Sequence, residues 1–275
     1  MIDILRGIIV QSGNDASKAI AEHMAGSEEG FAKLMNAEAA RLGMTQTRFM
    51  NPTGLPDPQH KSSARDLAIL ARAIIRDSAD YYPIYAEREF KYNGIKQGNR
   101  NALLYTDNTV DGLKTGHTDA AGYCLVATAK RDFPNLRGRR LLAIVLGAAS
   151  ESARAEEAQK LLNWGYTAYD GIQLFEAGQA VVTPLVYKGT AAQVGLGRAQ
   201  PIVVAVPQGM AGKLKTQVTR PDPLLAPLQK NQPVAVLKVL LDQAPLVDIP
   251  LLALSEVGEA GFLGRGWDTL KLWLK

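Results

Sequence analysis

The spacing of apolar residues along this chain changes from a helical period to a strand period near residue 110. Before that point, residues 14–26, 27–43 and 62–77 repeat apolar side chains every three or four positions, which predicts three helices. After it, the short strand candidate DGLKTGHT is followed by two clear strands, GYCLVATAK and LLAIVLGAA, and residues 151–166 return to the helical period. Consecutive strands followed by a helix that can pack on them predict an α+β fold with an antiparallel sheet.

Each of the first three helices has candidate capping residues at its ends. Ser and Asn or Asp side chains are favoured at the N-cap because they accept free backbone N–H groups, and Gly is favoured just past the last turn. The candidate N-caps are Asn14 or Asp15, then Ser27, then Ser62 or Ser63, and the candidate C-terminal stops are Gly26 and Gly43.

Beyond residue 170 the chain consists of short apolar runs separated by turns rich in Pro and Gly. This pattern continues to residue 257 and predicts a small all-β domain. Its acidic and basic residues are scattered, and residues 171–258 contain no His or Cys, so we place no catalytic group there. We therefore predict a first domain over residues 1–170 and an all-β domain over residues 171–258.

The last segment, residues 259–275, has the pattern of an amphipathic helix. Leu263, Trp267, Leu270 and Leu274 fall on one face, with basic residues off that face. Trp and Leu opposite Lys and Arg are typical of helices that lie in a membrane interface. A helix docked on the all-β domain would show the same pattern, so the pattern alone leaves both interpretations open.

Charge and cysteine content exclude few classes of protein. The net charge of +4 is mildly basic for 275 residues, and the single cysteine, Cys124, excludes an intrachain disulfide. We interpret the densest basic run, residues 130–140, as a solvated hairpin loop and not as a nucleic-acid surface.

No stretch approaches the roughly 18–20 apolar residues of a membrane span. Met1 is followed at once by apolar residues, without the basic region of a signal peptide.

Two short motifs carry side chains suited to catalysis. The S-G-N sequence that starts at Ser12 places a hydroxyl and an amide on a tight turn before a helix, which is also an ordinary capping turn. The K-T-G sequence that starts at Lys114 lies on a predicted strand, where an ammonium, a hydroxyl and an open backbone suit a peptide carboxylate and amide. The pair, separated by about a hundred residues, matches the pattern of the penicillin-recognising serine enzymes.

Longer segments extend this likeness to a family. The stretches LRGIIVQSGNDAS, GMTQTRFMNPTGL, SSARDLAILARAII, VDGLKTGHTDAAGYCLVATAKR and ARAEEAQKLLNWGY resemble the D-alanyl-D-alanine carboxypeptidases of peptidase family S11, the low-molecular-weight penicillin-binding proteins of the 5/6 type. The resemblance covers essentially the whole chain. It implies a transpeptidase-like domain of the penicillin-binding protein and β-lactamase class, a small β domain, and a tail on the outer face of the inner membrane. It implies no metal and no cofactor.

The resemblance assigns catalytic roles to three residues. The Ser12 hydroxyl would relay a proton to the leaving D-alanine, and the Asn14 amide would hold the substrate amide. Lys114 would support the electrostatics around Ser12.

The resemblance also assigns substrate-binding roles. Thr115 would contact the terminal carboxylate beside Lys114, and the strand that includes Gly116 would bind the peptide backbone. His117 would shape the site, and Arg154 would help to hold the carboxylate with its planar guanidinium. Two alternatives stay open: His117 is a strand-end histidine with a structural hydrogen bond, and Arg154 is a surface arginine in the first turn of a helix.

The first motif of the family, S-x-x-K, is absent. None of the nine serines is followed by Lys at the third position. We therefore expect the nucleophilic serine and its activating lysine to lie outside this chain, upstream of Ser12, and we interpret Met1 as a false or truncated start. Without that nucleophile, covalent catalysis fails and the chain itself is expected to be inactive.

For the intact protein the sequence predicts a serine-type D-Ala-D-Ala carboxypeptidase. It would trim the terminal D-alanine from peptidoglycan pentapeptides, react with β-lactams, and reside in the periplasm on the outer face of the inner membrane, with no nucleic-acid partner. One alternative is a non-catalytic module that interacts with peptidoglycan or the membrane surface. Another is a serine β-lactamase, for which the β domain and the tail have no evident use.

Overall fold

The computed structural model describes residues 1–273 and combines helices with mostly antiparallel sheets. The predicted α+β fold is confirmed. The chain divides into two units. Unit 1 comprises residues 1–133 and 137–166, and unit 2 comprises residues 134–136 and the chain from residue 167 onward.

Helices dominate the first part of the chain. They are α1 (Ile2–Ile9), α2 (Asn14–Ala25), α3 (Glu28–Leu42), α4 (Ala64–Asp77), the short α5 (Leu103–Thr106) and α6 (Glu151–Ala168), with a 3-10 turn over Tyr82–Ala86. The Ser27 hydroxyl accepts the N–H of Gly30 at 3.0 Å, and the Ser63 hydroxyl accepts that of Asp66 at 3.2 Å. These two predicted caps are confirmed, and each satisfies one of the free N–H groups of a first helical turn.

A three-stranded sheet forms the centre of unit 1. A small hairpin of β1 (Glu89–Tyr92) and β2 (Ile95–Gly98) precedes the long strands β3 (Val110–Thr118), β4 (Gly122–Phe133) and β5 (Leu136–Ala148). β3 pairs antiparallel with β4, and β5 lies on the other side of β4. Ala158 and Leu162 of α6 share a core cluster with Leu125 and Ala127 of β4. The predicted succession of three strands and a packed helix is therefore confirmed.

The basic run over residues 130–140 is not a solvated loop. β4 and β5 continue through most of it and leave only a tight connection between Phe133 and Leu136. Arg139 is 7% exposed and donates to the backbone oxygen of Gly165 at 3.0 Å. Arg140 is bound to the carboxylate of Asp111 on β3. The prediction was wrong because the charge of an arginine does not reveal whether a neighbouring strand offers it acceptors.

Unit 2 contains the remaining strands, which confirms the predicted small all-β domain. They are β6 (Tyr169–Phe175), β7 (Ala180–Val182), β8 (Val186–Tyr187), β9 (Leu196–Gly197), β10 (Ile202–Pro207), β11 (Leu214–Thr219), β12 (Leu224–Leu225), β13 (Pro233–Leu241) and β14 (Ala244–Ala253), with a 3-10 turn over Ala211–Lys213. Five strands form one sheet in the order β11-β13-β14-β9-β7. Alternate residues in the middle of β13 and at the end of β14, such as Leu237 and Leu251, are fully buried in one core.

Helix α7 (Phe262–Trp273) ends the described part of the chain. The carboxylate of Asp268 accepts the backbone N–H of Lys188 at 2.6 Å, whereas Trp267 and Trp273 are 61% and 83% exposed. Leu274 and Lys275, which the sequence placed on the same helix, lie outside the described residues. Among the helices of residues 1–273, none has the length and apolarity needed to cross a membrane.

Candidate active site

A turn between α1 and α2 fixes the position of the Ser12 hydroxyl. The N–H of Ser12 donates to the oxygen of Ile8 at 3.1 Å, and the next N–H, of Gly13, donates to the oxygen of Gly7 at 3.0 Å. Ser12 has a backbone φ of 58°, in the left-handed region that residues other than Gly rarely occupy. Such conformations persist where the surrounding structure imposes them, and they are found often at functional sites.

Asn14 and Asp15, the polar residues that follow this turn, do not cap helix α2 as the sequence predicted. Helix α2 has Gly13 as its N-cap and no side-chain capping bond, so the predicted caps Asn14 and Asp15 lie inside the first turn. The Asn14 side chain is exposed at the start of α2. Its amide group is therefore free of the capping role that local sequence preference suggested, and it faces a cleft.

Lys114 joins the two motifs. Its Nζ donates to the Oγ of Ser12 at 2.9 Å and to the backbone oxygen of Thr115 at 3.1 Å. The residues are 102 positions apart in the chain. The sequence-based pairing of S-G-N with K-T-G thus corresponds to a direct contact between a hydroxyl and an ammonium.

The environment of Lys114 favours its neutral form more than water does. Burial is the main cause that lowers its pKa from 10.5 to about 8, and the positive charges of Arg100 and Arg154 contribute to the same shift. At pH 7 the ammonium is still the major form and can stabilise negative charge near Ser12. A pKa of about 8 also makes proton exchange with the Ser12 hydroxyl far less costly than for an ordinary lysine.

Arg154 is buried within the wall of the site. Its side chain is 4% exposed, donates to the backbone oxygens of Gly116 and Arg100 at 3.4 Å each, and lies 3.6 Å from the carboxylate of Glu151. The interpretation of Arg154 as an ordinary surface arginine is therefore wrong. Its guanidinium ties the K-T-G strand to the segment that carries a second arginine.

The remaining predicted residues follow Lys114 on β3. Thr115 is 9% exposed, and Gly116 and His117 are exposed. The rings of His117 and Tyr123, which are cross-strand partners, have centroids 4.1 Å apart. An imidazole supported in this way forms a fixed edge at the open end of the strand.

A cleft of about 620 Å³ brings all of these groups together. It is lined by every predicted site residue: Ser12, Asn14, Lys114, Thr115, Gly116, His117 and Arg154. A larger groove of about 800 Å³ lies around Asp107, Arg131 and Gln159 and contains none of them. We place the site at the smaller cleft, because only there do a hydroxyl, a lysine of lowered pKa and two arginines converge.

Several lining residues were not identified from the sequence. They are Thr53, Gly54, Leu55, Arg100, Thr118, Ala121, Tyr123, Cys124 and Glu151. The first three had a usable signal, because Asn51 accepts the N–H groups of Thr53 and Gly54 at 3.2 and 2.7 Å in the turn that N-P-T-G predicts. Arg100 had none, since no local motif places it at the cleft, and its contact with Arg154 joins residues 54 positions apart.

The charge of the cleft suits an anionic group on a small ligand. Lys114, Arg100 and Arg154 supply three positive charges, against the single carboxylate of Glu151. Within residues 1–273, no cluster of three or more His, Cys, Asp or Glu side chains is arranged to hold a metal ion. The arrangement can orient a peptide carboxylate and move a proton at the Ser12 hydroxyl.

Comparison with known proteins agrees with this geometry. Residues 1–150 match the family model of the D-alanyl-D-alanine carboxypeptidases, peptidase S11, and residues 169–259 match the C-terminal domain of penicillin-binding protein 5. D-alanyl-D-alanine carboxypeptidase DacC of Escherichia coli is 41% identical over 97% of this chain, which spans 66% of the length of DacC.

Solved structures show the same likeness. Penicillin-binding protein 5 from Haemophilus influenzae aligns with a TM-score of 0.79 and 39% identity, over 94% of this chain and 74% of that one. The cefotaxime-bound form of penicillin-binding protein D2 from Listeria monocytogenes aligns with a TM-score of 0.54 and 32% identity, over 60% of this chain and 65% of that one.

Proposed function

The chain belongs to the D-alanyl-D-alanine carboxypeptidase family, peptidase S11, and from this premise we propose that the protein is a serine-type D-Ala-D-Ala carboxypeptidase. It removes the terminal D-alanine of peptidoglycan pentapeptides through an acyl-enzyme. The observation that carries the proposal is the 2.9 Å hydrogen bond from Lys114 Nζ to Ser12 Oγ inside a cationic cleft. The cefotaxime-bound relative supports the further proposal that β-lactams inhibit this protein.

Each residue of the cleft has a separate role in the proposed acyl transfer. A nucleophilic serine attacks the carbonyl of the penultimate residue, and the amine of the leaving D-alanine receives a proton through the Ser12 hydroxyl, which Lys114 resupplies. Asn14 holds the substrate amide, and Thr115 and the positive charge of Arg154 hold the terminal carboxylate. The exposed backbone of Gly116 lets the substrate chain lie along β3, and His117 limits the open end. Water then hydrolyses the acyl ester.

The nucleophile is not among the residues of this chain in the proposed mechanism. Because none of the nine serines has Lys at the third following position, no serine here has the partner that activates the family nucleophile. The residues of the cleft are then the proton-relay and binding half of the site. By itself the chain is expected to bind the substrate carboxylate weakly and to form no acyl-enzyme.

A mass measurement with penicillin tests both parts of this proposal. The chain alone is expected to keep its mass after incubation with excess penicillin. A fusion that carries a segment with the family motif S-x-x-K ahead of Ser12 is expected to gain one penicillin adduct and to release D-alanine from a D-Ala-D-Ala peptide. The same fusion with Lys114→Ala is the control, with D-alanine release reduced at least about a hundredfold.

The other outcomes separate the alternatives. An adduct on a serine of the chain alone would contradict the missing-nucleophile proposal. A folded fusion that binds peptide but neither reacts with penicillin nor releases D-alanine would indicate a non-catalytic peptidoglycan module. Rapid turnover of penicillin would indicate a β-lactamase.

The proposed location is the periplasm, on the outer face of the inner membrane. Its support is α7, whose apolar side chains Phe262, Leu263 and Trp273 are more than four-fifths exposed while Arg265 and Lys271 supply positive charge. The division into residues 1–170, 171–258 and 259–275 stays a prediction.

A further inference from the structure

Strand β3 has one residue more than its partner between two neighbouring pairs. Val110 pairs with Ala129 and Gly112 pairs with Thr128, so Asp111 has no residue opposite it and forms a β-bulge. Side chains alternate between the two faces of a strand, and a shift of one residue in register moves every following side chain to the opposite face. The bulge therefore determines which face Lys114 occupies.

The carboxylate of Asp111 is held by donors from three other segments. Tyr82 of the 3-10 turn donates to Oδ1 at 2.8 Å, and Thr128 of β4 donates to the same oxygen at 2.5 Å. Arg140 of β5 donates to both oxygens at 2.6 Å, in the bidentate geometry that suits a guanidinium and a carboxylate. Burial acts to raise the pKa of Asp111, but the hydrogen bonds from Arg140, Thr128 and Tyr82 outweigh it and lower the pKa.

A buried asparagine holds the other side of the bulge. Asn101 is 0% exposed, and its Nδ2 donates to the backbone oxygen of Gly112 at 3.1 Å. Its Oδ1 accepts the N–H of Leu103 at 3.2 Å, so the side chain is fixed at both ends. The backbone is therefore fastened at the bulged residue itself and at the residue after it.

We propose that Asp111 is a positioning residue: its ion pair with Arg140 fixes the β3 bulge, and the bulge directs Lys114 toward the Ser12 hydroxyl. Asp111 is not among the residues that line the cleft, and it acts through the register of the strand. The catalytic meaning of this arrangement rests on the proposed function. The geometry itself can be measured in the chain without any activity.

The test compares Asp111→Ala with a matched variant of a second ion pair. Asp107 binds Arg131 at 2.9 Å and lies before the bulge, so Asp107→Ala removes a similar interaction without touching the register after residue 111. The readout is the pH dependence of Lys114 acetylation by acetic anhydride, followed by peptide mass spectrometry with the exposed Lys213 as internal reference. Only the neutral amine reacts, so the midpoint reports the pKa of Lys114 independently of its accessibility.

In the unchanged chain the midpoint is expected at about pH 8, the lowered pKa of Lys114. Asp111→Ala is expected to raise it by at least about one pH unit, which is a tenfold smaller neutral fraction at a given pH below the midpoint. Asp107→Ala is expected to shift it by less than about 0.3 unit. An unchanged midpoint in folded Asp111→Ala, or an equal shift in Asp107→Ala, would overturn the proposal.

Two milder variants apply if Asp111→Ala loses its near-ultraviolet circular dichroism. Arg140→Lys keeps the charge but loses the bidentate contact, and Tyr82→Phe removes one donor. Each is expected to raise the Lys114 midpoint by a smaller amount, and folded variants with unchanged midpoints would equally overturn the proposal. Failure of the fusion protein to release D-alanine, together with a shifted Lys114 midpoint, would contradict the proposed function and leave this inference standing.

Discussion

The two units of the molecule bury different kinds of side chain. Within the described residues, all buried polar or charged side chains lie in unit 1: Ser17, Asp66, Asn99, Asn101, Thr115, Thr128, Arg139 and Arg154. Most buried apolar residues of unit 2 belong to one cluster, whereas the clustered ones of unit 1 separate into three. A satisfied buried polar group adds little net stability, and a buried charge often costs more than its partner returns.

Five of these eight buried polar residues of unit 1 lie at the cleft or at the segments that support it. Thr115 and Arg154 line it, Asn99 and Asn101 flank the cleft residue Arg100, and Thr128 binds the carboxylate that holds the β3 bulge. Unit 2 has no comparable set among its described residues, and its buried positions are apolar, as in the alternating strand β10. The difference indicates that unit 1 loses some stability by holding charged groups in fixed positions at the cleft. Unit 2 is stabilised mainly by apolar packing.

Separation of the units is expected to produce the largest effect. A fragment of residues 167–275 should unfold in one cooperative transition, because its core is continuous and apolar. A fragment of residues 1–166 should lack near-ultraviolet circular dichroism and bind 8-anilinonaphthalene-1-sulfonate, because three separate clusters and a three-stranded sheet must offset the cost of its buried polar groups. Calorimetry and dye fluorescence of both fragments check this. A sharp transition without dye binding for residues 1–166 would contradict the comparison.

Replacement of Lys114 by Met is expected to stabilise unit 1 at pH 7 by about 1–3 kcal/mol, since each pKa unit corresponds to about 1.4 kcal/mol. The pKa of Lys114 falls from 10.5 to about 8 on folding. Below pH 8 both the folded and unfolded states carry the proton, and the full cost of the buried charge opposes folding. As the pH rises from 8 to 10.5, the folded state releases the proton first and the cost disappears.

The benefit of Met at position 114 should therefore shrink between pH 8 and pH 10. Hydrogen exchange of the β4 amides at both pH values measures it within unit 1. Lys213→Met, at a lysine whose side chain is 54% exposed in unit 2, is the control and should change little at either pH. Destabilisation by Lys114→Met at pH 7 would mean that the contacts of Lys114 with Ser12 and Thr115 outweigh its burial.

The sequence predicted the parts of this structure that local chemistry decides. Ser27 and Ser63 cap helices because the hydroxyl reaches an N–H three residues away, and this needs no tertiary information. The strands β4 and β5 followed from apolar runs in the sequence. In contrast, Gly13 caps α2 in place of Asn14, because the turn that places Ser12 overrides the preference for a polar cap.

The contacts of the site could be predicted only in part. The closeness of Ser12 and Lys114 followed from a family pattern and not from spacing, since 102 residues separate them. Arg140 was misread because the acceptors that hold it belong to other segments, and Arg100 was missed because its contact with Arg154 joins distant parts of the chain. The bulge at Asp111 left no trace in the apolar pattern, although one extra residue decides the direction of Lys114.

Helix α7 is an exception within unit 2, because its large apolar side chains are exposed and not buried. Replacement of both Trp267 and Trp273 by Ala should change the unfolding free energy by less than about 0.5 kcal/mol, because these side chains are 61% and 83% exposed. Binding to vesicles of phosphatidylglycerol and phosphatidylcholine should nevertheless weaken at least about tenfold, since the exposed indoles would insert into the interface.

Trp164→Ala is the control for this last prediction, because Trp164 is a similarly exposed tryptophan, at 58%, outside α7. It should leave vesicle binding unchanged. A loss of more than about 2 kcal/mol in the α7 double variant, with vesicle binding unaffected, would show that the helix is docked on unit 2 and that its apolar face serves packing. Unchanged stability with weakened vesicle binding would mean that unit 2 has two sets of apolar residues, a buried core that stabilises it and an exposed helix that binds a membrane surface. Unit 1 is divided in a similar way, between apolar clusters that pack and charged groups that are held at the cleft.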